Sequence, residues 1–200
     1  ITGDIVNDGL AWQYREIKAK LKKFPGEIIA LPGNHDYGLV GNLYFFDAAA
    51  AFDEFSVDIN GHSFLSTGFP LVTETDECTI IGLDSNLMTT DPFDFACGEI
   101  GGEQLYLLDE AIRDSNKFKI VTLHHHPFDR GFGRQLLDAE KFWNVVEGRV
   151  DMVLFGHKHV SDMWQGRHNI PYILAAGQTH THAREVTIEN GNVNIRMVEL

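Results

Sequence analysis

The sequence predicts a layered α/β domain, and three observations lead there. Short apolar runs alternate with amphipathic helical stretches, the C-terminal residues alternate as two antiparallel strands, and polar side chains come directly after each apolar run. In chain order, Ile1-Thr2 reads as the last step of a strand and Gly3-Asp4 as the turn leaving it. Leu10, Tyr14, Ile17, Leu21 and Phe24 recur at steps of three and four, which predicts a helix over 10–24. GEIIALPG, 26–33, is a buried strand stopped by Pro-Gly. LYFFDAAAAFDEF, 43–55, is a second helix, and 60–84 turns strand-like, ending in CTIIGLD. A third helix over 101–114 presents Leu105, Leu108 and Ile112 together. FKIVTLH is a strand, AEKFWNVVEG a helix, and VDMVLFG and IPYILAAG are strands. VTIENGNVNIRMV closes the chain as a hairpin around an Asn-Gly turn.

Composition narrows the function classes. With 200 residues, 44% of them hydrophobic, the chain has material for one domain with a real core. A net charge of −13 with no basic stripe argues against a dedicated nucleic-acid surface. It leaves an anionic substrate open, because bound divalent cations invert the local field. No apolar run approaches the roughly 18 residues of a membrane span. Cys78 and Cys97 make no disulfide framework, which fits a reducing, cytoplasmic compartment.

The informative residues sit just past the end of each strand. ITGD presents Asp4, and IIALPGNHD presents Asn34, His35 and Asp36. KIVTLHHHP presents His124, His125 and His126, and MVLFGHKH presents His157 and His159. Ligand sites in open α/β sheets gather at the carboxyl ends of the strands, so these four loops are expected to converge. A carboxylate, an amide oxygen and several imidazoles together suit Mn, Fe or Zn better than Ca or Mg. Each loop alone has a plainer explanation. Asp4 suits a turn, Asn34 a left-handed turn position, and the histidine run and GHKH polar surface loops. Asp84 reads as a turn cap. His180 and His182, after the strand YILAAG, read as a surface loop, and Phe69, Phe93, Phe128 and Phe132 as loop aromatics or core.

GD (3–4), GNHD (33–36), the histidine run before Pro127 and GHKH (156–159) together resemble the metallophosphoesterase, or calcineurin-like, superfamily. That group includes purple acid phosphatases, cyclic-nucleotide phosphodiesterases and serine/threonine protein phosphatases. The resemblance runs from residue 3 to 159. It implies a four-layer α/β/β/α sandwich with two divalent transition metal ions, Mn, Fe or Zn, at the strand ends. Asp4 then resembles the carboxylate bridging both ions, and Asn34 a ligand of the second. The usual spacing, a histidine two before a proline, selects His125, with His124 the alternative because a run of three leaves the alignment open by one. His157 resembles a ligand of the second metal and His159 of the first. His35 resembles the residue that contacts the phosphate or protonates the leaving oxygen. Asn7, three after Asp4, stands where some members pair a second Asp with that histidine, and Asp36 and His124 stand behind the ligands.

The family's first block, Asp-x-His on the first strand, occurs nowhere in the sequence. The expectation is therefore one domain over 1–200 that begins after that strand, its first metal keeping only Asp4 and His159, and active only if the upstream ligands are supplied. GLDS and HHHP are most similar to the cyclic-nucleotide phosphodiesterase branch. The resemblance thus implies hydrolysis of a small phosphodiester, a nucleotide among the candidates. A phosphomonoesterase and a non-catalytic binding module of the same fold are the alternatives. An amidohydrolase also uses His-x-His, but on its first barrel strand, and has no use for GNHD.

Overall fold

The computed structural model describes residues 1–39, 43–87, 96–128, 134–176 and 181–199. The helices are α1 (Ala11–Leu21), α2 (Asn34–Tyr37), α3 (Phe46–Asn60), α4 (Phe64–Thr67), α5 (Gly102–Asp114) and α6 (Ala139–Val146). The strands are β1 (Gly38–Leu39), β2 (Leu43–Tyr44), β3 (Leu71–Glu74), β4 (Cys78–Gly82), β5 (Phe118–Thr122), β6 (Met152–Phe155), β7 (Met163–Gln165), β8 (Tyr172–Ala175), β9 (His182–Glu189) and β10 (Asn192–Glu199).

A six-stranded sheet in the order β3-β4-β5-β6-β8-β7 organises the molecule. Its four inner strands are parallel, and the two edge strands run antiparallel to their neighbours. Inner parallel strands are covered on both sides, and alternate residues divide between the two faces. Ile81, Val121, Val153 and Ile173 pack with Leu105, Leu108 and Ile112 of α5 and Phe142 and Val146 of α6. Cys78, Ile120, Met152 and Leu174 face the other way, against Val186, Ile188, Val193 and Ile195 of the β9–β10 hairpin. That hairpin turns through Asn190 and Gly191, both at positive φ, as an Asn-Gly turn requires. A further cluster joins α1 and α3 through Tyr14, Phe52 and Phe55, with Ala30 beneath. The mixed α/β class is therefore as expected. The described layers are a helix pair, the six-stranded sheet and a two-stranded second sheet, with α1 and α3 forming a further helical group.

Three local expectations change. Residues 28–31 do not form a strand. Leu31 N donates to the Ile1 carbonyl (3.0 Å) on one side, while on the other Ala30 N and O are both engaged by the side-chain amide of Asn60 (2.8 Å each). The Ile1 amino group also donates to the Ile29 carbonyl (2.6 Å), so Ile1 pairs with this segment through its own N–H and C=O, but the pairing goes no further and no regular strand forms. The run 60–84 holds the short helix α4 as well as two strands. Phe24 lies beyond α1 and is exposed, leaving Tyr14, Ile17 and Leu21 as the inner face.

Candidate metal centre

The polar loops gather at the carboxyl ends of β5 and β6. Four side-chain atoms converge there. His124 Nε2 lies 3.0 Å from Asn34 Oδ1, 3.1 Å from His157 Nδ1 and 3.4 Å from Asp4 Oδ2, and His157 Nδ1 lies 3.1 Å from Asn34 Oδ1. Donors at about 2.1 Å from one ion stand about 3.0 Å apart in an octahedral set and about 3.4 Å apart in a tetrahedral one. These four separations span that range, and the ligand atoms of Asp4, His124 and His157 all lie within 4.8 Å of one another, a grouping that could hold one small divalent ion. Asp4, His124 and His157 form the metal-competent His/Asp group among the described residues.

The histidine that enters this cluster is His124, the alternative, and not His125. Its Nδ1 donates to the Thr2 carbonyl (2.7 Å), which leaves the Nε2 lone pair directed at the cluster. Burial lowers its pKa and keeps the ring neutral, the form that can bind a metal. His125 is fully buried, with Nδ1 2.9 Å from Ser85 Oγ, and desolvation holds its pKa well down. His126 packs among Phe155, Phe128 and Trp164.

Close approach of backbone explains the glycines. A Cβ at Gly33 would overlap Asp4 Oδ1 and come within 2.8 Å of His124 Cε1, and one at Gly3 would stand 2.5 Å from His124 Nδ1. Asp4, His157 and His159 all have positive φ (53°, 72° and 54°), a conformation costing roughly 1–3 kcal/mol each and concentrated at functional sites. Asp36 steadies the first of them. Its fully buried carboxylate accepts N–H groups of Ile5 and Val6 (3.1 Å each) and Gly33 (2.8 Å), and the Tyr14 hydroxyl donates to it at 3.0 Å. Burial pushes the pKa of that carboxyl up to about 7 against these donors.

The remaining expected residues lie around this core. Asp4 Oδ1 accepts the His35 backbone N–H (3.1 Å), so the two oxygens of Asp4 serve different partners. The His35 ring points Nδ1 at the carbonyl of Asn7 (2.8 Å), while the Asn7 amide turns to Asp8. His159 is exposed and contributes no atom to the four-donor cluster. Asp84 caps its turn, accepting both the N–H and the Nδ2–H of Asn86 (2.9 and 2.7 Å). His182 begins β9 beside Thr181, whereas His180, Phe93 and Phe132 lie outside the described residues. Phe69 packs on Phe64. Phe128 stacks on Trp143 and carries the Arg167 guanidinium 3.5 Å from its ring centroid, so neither phenylalanine is a free platform. Ser85, Thr2 and Tyr14 were not expected near the site. Ser85 comes just after a strand in GLDS, which is a usable signal, but Tyr14 reads only as a core residue of its helix.

Comparison with known proteins points one way. Residues 1–161 match the family described as calcineurin-like phosphoesterase. A probable cyclic nucleotide phosphodiesterase of Coxiella burnetii is 25% identical over 80% of this chain and 58% of its own length. The 3′,5′-cyclic adenosine monophosphate phosphodiesterase CpdA of Escherichia coli is 24% identical over 100% of this chain and 68% of its own. The chain thus spans a little over half of the first relative. Among solved structures, a dimetal phosphatase from Danio rerio superposes with a TM-score of 0.76, covering 98% of this chain and 79% of that one at 12% identity, a likeness of fold.

Proposed function

The chain belongs to the calcineurin-like phosphoesterase family, and from that premise we propose that it is a metal-dependent phosphoesterase acting on a small phosphodiester. The observation that carries the reading is the convergence of Asp4, Asn34, His124 and His157, with the His124 tautomer set by Thr2. These four residues would hold one divalent ion, with His124 in the role that spacing alone gave to His125. Asp4 and His159 would serve a second. Nitrogen and oxygen donors in this mixture suit Mn, Fe or Zn. When bound, such ions acidify a water and neutralise charge on phosphoryl oxygens.

The chain's own residues do the rest. Asn34 adds an oxygen donor without adding negative charge. Asp4 turns one oxygen to the cluster while the His35 N–H holds the other. His35, whose Nδ1–H donates to the Asn7 carbonyl, would as the imidazolium present its second proton on Nε2 to the departing oxygen, leaving a neutral ring still held by Asn7. A cyclic nucleotide is the favoured substrate, on the names of the two relatives, and a cytoplasmic setting agrees with Cys78 and Cys97 both being free thiols. No helix among the described residues is long and apolar enough to cross a membrane.

The test pairs metal titration of the chelator-treated protein with hydrolysis of bis(4-nitrophenyl) phosphate, a phosphomonoester and 3′,5′-cyclic AMP. We expect Mn²⁺ or Zn²⁺ binding that Asn34→Ala and His124→Ala each weaken, and diester turnover that tracks metal content. Wild-type binding in both variants would overturn the site. Intact binding with no turnover of any ester would favour a non-catalytic module of the same fold.

A further inference from the structure

Three adjacent histidines are chemically identical, so something outside the run must decide which one faces the metal cluster. His124 and His125 follow β5 in a bend, past the residues that the sheet pairs, and a shift by one there would exchange the two rings. We propose that Ser85 is the positioning residue that sets this register, an inference that rests on the metal-site reading above.

Ser85 lies just beyond β4, the parallel neighbour of β5, and is fully buried. Its Oγ lies 3.0 Å from His125 N, 3.3 Å from His124 N and 2.9 Å from His125 Nδ1. A serine hydroxyl offers one proton and two lone pairs. The two backbone N–H groups can only donate, so they take the lone pairs, and the hydroxyl proton goes to His125 Nδ1. One side chain thereby grips the backbone of two consecutive histidines and the ring of the second. It also selects the His125 tautomer, with the ring proton on Nε2.

Gly98 provides the space for that arrangement. The Ser85 carbonyl accepts the Glu99 N–H (3.0 Å), which brings residue 98 over the His125 ring, and a Cβ there would overlap the ring's Cγ. With the His125 ring fixed between Ser85 and Gly98, His124 projects the other way. Its Nδ1 meets the Thr2 carbonyl and its Nε2 meets Asp4, Asn34 and His157. His126 is taken up by Phe155 and Trp164. The three rings have three separate destinations, and Ser85 is the group that touches two of them at the backbone.

The test uses the whole chain, with Mn²⁺ or Zn²⁺ as the probe. Ser85→Ala should weaken metal binding by about 10–100-fold, the usual cost of removing a group that orients a ligand. His125→Ala, which removes the ring and leaves both backbone bonds to Ser85, should change it less than about threefold. Nitrogen-15 spectra of the ring nitrogens in the wild-type protein should show His125 protonated at Nε2 with a hydrogen-bonded Nδ1, a signature lost in Ser85→Ala. A folded Ser85→Ala protein with wild-type metal affinity would overturn the proposal. Should that variant not fold, the wild-type spectrum decides, since His125 protonated at Nδ1 is incompatible with the hydroxyl donating there. His124→Ala separates the two levels of inference. If it binds metal normally the site reading itself fails, whereas loss there with no loss in Ser85→Ala removes only the role of Ser85.

Discussion

The Nδ1 atom of His35 lies 2.8 Å from the backbone carbonyl of Asn7, not from its side chain. Any residue at position 7 offers that carbonyl, so Asn7→Ala should leave turnover within about threefold. His35→Ala should lower kcat by about 10²–10⁴, the share general acid catalysis carries. Metal content should stay at the wild-type level, because the His35 contact with Asp4 runs through the backbone N–H, which alanine keeps. Elemental analysis beside steady-state kinetics checks both halves, and metal loss in His35→Ala would contradict the assignment.

Asp36→Asn sets an amide N–H₂ against the N–H groups of Ile5, Val6 and Gly33. We expect a loss of about 2–3 kcal/mol in denaturant unfolding, the cost of stranding buried donors that served a charged acceptor. Tyr14→Phe removes one of those donors and keeps the ring, so a loss of about 1 kcal/mol is expected there. A smaller effect for Asp36→Asn than for Tyr14→Phe would show that the carboxylate does not hold the Asp4 turn.

Gly33→Ala isolates a steric effect, because Gly33 has an ordinary extended backbone (φ −108°). The added methyl must displace Asp4 Oδ1 or the His124 ring. Overpacking of this kind costs about 1–3 kcal/mol, and here it also moves two donors of the cluster. Metal affinity should therefore fall at least about tenfold by calorimetric titration, and an unchanged affinity would mean that the two loops give way without moving the donors.

Burial pushes the Asp84 carboxyl up to about 6, against the two Asn86 donors that favour its charge. Between the ordinary value of 3.8 and about 6, the native state then binds more protons at this group than the unfolded state. Its contribution to stability is full at low pH and is lost as pH rises through that window, by up to about 3 kcal/mol. The metal-free Asp84→Asn protein should lack this fall. Urea midpoints of both proteins at about pH 4.5 and 7 measure it, and a difference between them that is the same at both pH values would rule it out.

How much of the molecule is legible in the sequence depends on which interactions are local. The parallel strands, the core helices and the C-terminal hairpin each carry their period or turn within a few residues, and the carboxyl ends of the neighbouring strands β5 and β6 bring the histidine run and His157 together. The choice between His124 and His125 is not legible, because it is made by a serine 39 residues away from the first of them in the chain. The partner of His35 is hidden for a related reason. A backbone carbonyl has no letter in the sequence, whereas the side chain of Asn7 does, and the carbonyl is the group that the ring meets. Residues 28–31 have the composition of a buried strand, but one flank is taken by the side-chain amide of Asn60 where a strand would have another backbone, and composition does not report that.

The side-chain amide of Asn60 joins two parts of the chain that no backbone ladder connects. Ala30 is fully buried, so its N–H and C=O have no water to turn to, and the Asn60 amide satisfies both at 2.8 Å. The C-terminal end of α3 is thereby fastened to the segment that leads into Gly33 and Asn34, and Asn60→Ala, which strands both groups, should loosen the approach to the metal cluster together with the helix.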